Sequence, residues 1–167
     1  GRAGAAPSTG VLAYFAALGV GYIMIEVVLL QRFQLYLGHP TWSLVVTLFA
    51  LLVFSGVGSA LAQRLTGRDG RLPLGGAVAG ALAASAVSVL AVPAVMDLVV
   101  GSALGVRIAT AIALLAVPGM AMGMPFPLGL RMVGGSAPDA LPWVWAINAA
   151  ASVVGSVGAF AAAMAGG

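Results

Sequence analysis

Cysteine and lysine are both absent from the 167 residues, and charge of either sign is scarce: seven arginines, four carboxylates and a single histidine. Without cysteine there is no disulfide, no thiolate metal site and no covalent haem attachment, so the redox compartment leaves no mark on the sequence. His39, alone of its kind, rules out a haem held by two axial histidines within this chain, and zinc would lack further ligands. No cofactor is therefore expected. Paired carboxylates, a nucleophile beside a base, a glycine-rich phosphate loop and a dinucleotide fingerprint are missing as well, which removes the usual catalytic constellations. The formal charge is +3, but no basic patch is interleaved with aromatics, so nucleic acid is not an expected partner.

What the sequence does hold is apolar: 62% of residues are hydrophobic and 7% charged, against roughly 25% charged in a soluble globular domain. A soluble chain of this length would have to clothe one core in charge. Here apolar stretches of about 20 residues recur, each long enough to cross a hydrocarbon layer. The reading is an all-α, polytopic integral membrane bundle of about five transmembrane helices, a single transmembrane domain over residues 1–167. Membrane lipids and other membrane protein subunits are its expected partners. The opening Gly1-Arg2-Ala3-Gly4, with no short apolar segment and cleavage site ahead of the first long run, suggests a processed or trimmed piece of something longer.

Helices are expected at about 11–37, 41–62, 73–96, 108–130 and 141–165. Ser8 and Thr9 are N-cap residues for the first, which Gly38, His39 and Pro40 close. Trp42 sits where an interfacial aromatic belongs. Gln63 to Arg71 forms the most aqueous segment, Pro73 suits a first helical turn, and Pro93 is expected to bend the end of the third helix. The fourth is read as broken by Pro118, Pro125 and Pro127. Met120, Met122 and Met124 alternate, so they point in different directions and read as adaptable packing around that break. Trp143 and Trp145 mark entry to the fifth.

An odd number of crossings sorts the arginines. Arg2, Arg64, Arg68, Arg71 and Arg131 fall on one side, Arg32 and Arg107 on the other. Because arginine-rich short loops stay in the cytoplasm, the N-terminus is expected inside and the C-terminus outside, in a bacterial inner membrane.

Small residues should set the packing, since lipid offers no hydrophobic drive between helices. Gly76, Gly80, Ala84 and Ser88 are four apart. Ser55 with Ser59, Gly119 with Gly123, and Ala151 with Gly155 and Ala159 offer further stripes. Among polar groups, Glu26 stands inside an apolar helix at a cost of about 2.5–3.5 kcal/mol. Tyr22 on the same face, Arg32 bending back, and Asn148 on the fifth helix are its candidate partners. Two readings stay open: a proton or cation site in a transport module, or a hydrogen-bonded glutamate that fixes helix packing. Asn148, Ser152 and Ser156 make one polar stripe, read as interhelical hydrogen bonding, and His39 reads as a polar cap.

Ile25-Glu26 followed by Gln31-Arg32, Leu37-Gly38-His39-Pro40-Thr41, Phe54-Ser55-Gly56-Val57-Gly58-Ser59, Gly123-Met124-Pro125-Phe126-Pro127-Leu128-Gly129-Leu130-Arg131 and Pro142-Trp143-Val144-Trp145-Ala146-Ile147-Asn148 together resemble the C-terminal membrane region of bacterial spermidine-synthase-like membrane proteins. The resemblance spans nearly the whole chain. It implies a helical membrane region attached to a cytosolic domain similar to aminopropyltransferases or methyltransferases. Departures are Ala146 and Ala149, where glycine is usual, and the missing further helix. Nothing resembles the soluble domain's nucleotide-binding glycines or acidic pair, so no residue here inherits a catalytic role. The expected function is a non-catalytic module, either a membrane anchor of such a protein or an accessory subunit. A transport module and a fragment of a membrane-bound aminopropyltransferase-like enzyme are the alternatives.

Overall fold

A computed structural model describes residues 7–65 and 73–165, with side chains as far as 161. Six α-helices follow one another: α1 (Thr9–Leu37), α2 (Pro40–Leu65), α3 (Leu74–Val99), α4 (Leu104–Met122), α5 (Pro125–Ser136) and α6 (Leu141–Ala165). A 3-10 turn, Pro138–Ala140, precedes α6, and no strand occurs among the described residues. Five spans are long and apolar enough to cross a membrane, the fourth made of α4 and α5 together over Leu104–Ser136. Valine and glycine, abundant in these spans, are mediocre to poor helix formers in water. In hydrocarbon every unpaired backbone group costs several kcal/mol, so the helix becomes the only way for a lone segment to satisfy itself.

The ends of the helices follow local chemistry. Ser8 caps α1: its Oγ accepts a hydrogen bond from the Val11 N–H at 3.4 Å. Only Gly38 and His39 separate α1 from α2. Gly38 takes φ +73°, a left-handed conformation that glycine adopts without a Cβ penalty. His39 is indeed a cap, its Nδ1 accepting from the Thr41 N–H at 3.3 Å, with Pro40 in the first helical position. Pro93 lies inside a helix that continues to Val99.

The expected break of the fourth span needs correction in position. Pro118 is buried within an uninterrupted α4; it withholds the bond to the Leu114 carbonyl but does not end the helix. The interruption is Gly123–Met124. There the Met124 N–H reaches back only three residues, to the Ala121 carbonyl at 3.3 Å. Pro125 then opens α5 and Pro127 falls within its first turn, where a missing N–H is harmless.

Backbone contacts divide the chain into two compact units: residues 1–27 with 126–167, and residues 28–125. The second contains the end of α1 with α2, α3 and α4. In it α2 and α3 both pack on α4, and α2 runs in the same direction as α4. The crossing is close enough to bring backbone against backbone. A Cβ at Gly58 would fall on the Met120 carbonyl, one at Gly123 on the Ser55 backbone, and one at Gly119 would lie 2.8 Å from the Phe54 Cβ. α3 packs on α4, and its buried residues are Ala77, Ala81, Ser85, Ser88, Val92 and Met96. This face is offset from the stripe expected from sequence and shares only Ser88 with it.

The first unit is built differently. Phe15, Val133, Ala140 and Val144 form its buried centre, with Tyr14, Leu18, Phe126 and Leu130 packed around it. Rings follow one another edge to face, Tyr14 to Phe15 at 5.0 Å, Phe15 to Phe126 at 5.4 Å and Phe126 to Trp145 at 4.8 Å between centroids. Gly129 makes room for the rings; a Cβ there would be 2.7 Å from Tyr14.

Candidate functional site

Within the first unit α1 and α6 run side by side in the same direction, and three features hold them together. The Asn148 amide donates to the Phe15 carbonyl at 3.0 Å. Gly19 lies directly against the Asn148 carbonyl and 2.9 Å, measured from a would-be Cβ, from Ser152 Oγ. Farther along, Gly155 faces Val20 and Ile23, where a Cβ would be 2.7 Å from the Ile23 Cγ2. Ser152 donates to the Asn148 carbonyl at 2.9 Å, one turn back on its own helix; Ser156 turns to the Val153 carbonyl at 2.8 Å. The polar stripe of α6 thus acts at two levels: Asn148 links the helices, whereas the two serines bond within α6.

Glu26 belongs to the same unit and is half-buried. Of its candidate partners, Tyr22 lies four residues away on the same helix, and Asn148 is committed elsewhere. Asn148 could not serve: its partner Phe15 is eleven residues earlier on α1, about 16 Å along the axis. Arg32 is exposed, on the turn that leads to Tyr36. Tyr22 is half-buried.

The second unit carries a polar cluster that the sequence reading did not assemble. Arg107, in the first turn of α4, donates from a terminal guanidinium nitrogen to the Tyr36 carbonyl at 2.8 Å. That carbonyl lies in the last turn of α1, which has no basic residue of its own there. The guanidinium therefore satisfies an orphan carbonyl and complements the negative end of the helix dipole. The Tyr36 hydroxyl lies within electrostatic reach of the Asp97 carboxylate at the end of α3. Ser43, fully buried, donates to the Phe33 carbonyl at 3.1 Å and the His39 carbonyl at 3.2 Å. The available signal was positional: Asp97 is the one acid of α3, and that helix's last turn is a short connection away from Arg107 in the first turn of α4.

The small-residue candidates separate into two groups. Gly119, Gly123 and Gly155 sit in the closest contacts of their units, whereas a Cβ on Gly80 meets nothing within 4 Å and one on Gly76 meets only the Pro73 ring. Both exposed glycines line an open apolar groove of about 430 Å³ at the start of α3. Ala84 is half-buried and accepts from Ser88 Oγ at 2.8 Å. No group of three or more metal-ligating side chains occurs among the described residues.

Apolar spans, backbone-close helix crossings and polar groups committed to helix ends define the class: an α-helical integral membrane protein. No family model, no curated protein and no solved structure matches this chain.

Proposed function

We propose that the chain is a non-catalytic membrane module whose outer faces pack against other membrane subunits. The observation that carries this reading is the surface of the first and last spans. Only 11% of the most apolar stretch of each is buried, against 28% in α2. On α6, Val153, Val154, Val157 and Phe160 are 61–70% exposed, while its polar residues are spent on α1 or on α6 itself. A Cβ on Gly158, between them, meets nothing within 4 Å. Gly158→Leu therefore leaves the fold intact and shifts the chain out of its assembly on a native gel in mild detergent. Unchanged association would refute the proposal.

The resemblance to the membrane region of spermidine-synthase-like proteins supports the more particular form, an anchor for a cytosolic domain in a bacterial inner membrane. Arginine sorting supports a cytoplasmic N-terminus. The cysteine-free sequence makes this testable with single substitutions. Ser102→Cys should react with an impermeant thiol reagent in intact cells and Ser136→Cys should be protected; the reverse pattern would invert the topology.

A second reading, a transport module, is favoured by the half-buried Glu26 and by the interruption at Gly123–Met124, since broken helices are where transporters place their sites. Transport requires water at residue 26. Glu26→Cys that stays inert to small polar thiol reagents from both sides removes it.

A further inference from the structure

The groove at the start of α3 has the shape and setting of a lipid site. Leu61 of α2, Gly76 and Gly80 of α3, and Val117, Met120 and Met124 of α4 contribute to its lining, and every lining residue is apolar. Along α3 it extends from Pro73 to Ala81, about 12 Å of helix axis. Its volume is about 430 Å³. An extended hydrocarbon chain is slim enough to lie within it. Two methionines in the wall supply flexible side chains that can mould to a chain of no fixed shape.

One end of the groove is charged. Arg64 is exposed in the last turn of α2, one turn beyond Leu61. Asp97, the one described acid of this unit, stands at the opposite end of α3, about 35 Å from its start. Arg64 therefore offers an anionic group a cation at this end of the groove, far from Asp97; Asp69 lies outside the described residues. A guanidinium at the membrane surface, beside an apolar slot running inward, matches the two parts of a phospholipid.

We propose that this groove holds an acyl chain of an anionic phospholipid whose phosphate pairs with Arg64. The site does not depend on the chain's having partner subunits. The test uses the full chain in nanodiscs of equal parts phosphatidylglycerol and phosphatidylcholine, transferred to detergent and washed, with retained lipid counted by mass spectrometry. Wild type retains phosphatidylglycerol in preference. Arg64→Gln lowers that preference by about fivefold, the size expected of one arginine at an anionic surface. Gly80→Leu places a side chain in open groove rather than against protein, and loses both lipids while its circular dichroism stays unchanged. Soluble glycerol phosphate does not compete, which separates a lipid from a free phosphate. Wild-type retention in both variants overturns the site. So does a Gly80→Leu variant that keeps its lipid but changes oligomeric state, because the groove would then seat a helix.

Discussion

The two units solve the same problem with opposite materials. In residues 28–125 the crossing of α2 and α4 removes side chains: Gly58, Gly119 and Gly123 let backbones touch. In residues 1–27 with 126–167, a chain of four aromatic rings fills space, and glycine at 129 only clears room for them. Lipid tails solvate leucine as well as a protein core does, so neither unit gains from burying apolar area as such. Each must gain from fit. Backbone contact is short-ranged and intolerant of an added atom; ring contacts are spread over many atoms and weaken gradually.

That contrast can be broken most severely at Gly58. Gly58→Ala puts a methyl group on the Met120 carbonyl and should cost about 3 kcal/mol, the upper part of the overpacking range, because backbone must move rather than a rotamer. Gly56→Ala on the same helix, with nothing within 4 Å, should not destabilise. Unfolding in mixed micelles by a denaturing detergent compares the two, and equal effects would remove the close-crossing account.

Phe15→Ala comes next. In water such a truncation costs about 3–5 kcal/mol; here the transfer part drops out, leaving lost ring contacts and a cavity, and the same titration should give about 2 kcal/mol. Thr47→Val should move the other way. Its hydroxyl is buried without a hydrogen-bond partner among the described residues, so replacing it with a methyl should gain about 1 kcal/mol, read as a higher unfolding midpoint. Asn148→Ala should have the smallest effect of the series, about 0.6 kcal/mol, the average for an interhelical hydrogen bond in a membrane. A much larger loss would mean that Asn148, rather than the rings, holds the first unit together.

Long apolar runs and their caps were legible from residues alone: four of five spans begin and end within about four positions of the expected limits. The fourth ends farther on than expected, at Ser136. Which face of each helix packs was not legible. In α3 alanine, glycine and serine occur on every side, so Gly76–Gly80–Ala84–Ser88 looked as suitable as the buried Ala77–Ala81–Ser85–Ser88. Only the neighbour decides between them, and Val117 and Met120 of α4 help line the groove over the glycines. Gly119 with Gly123 was legible because the pair stands where the chain also breaks. Asn148 was found as a polar residue but matched to Glu26, since sequence gives helix faces and not the axial level at which two helices meet. Arg107 was read for topology alone, because its acceptor is a backbone carbonyl and carbonyls leave no trace in a sequence.

Gly38 has a consequence for how the protein is made. With two residues between α1 and α2, one of them in the left-handed conformation, the connection has almost no slack. The first helix cannot finish settling across the bilayer while the second waits in the exit tunnel for its turn. The two helices are therefore laid down in the bilayer as one hairpin, neither able to take its place independently of the other.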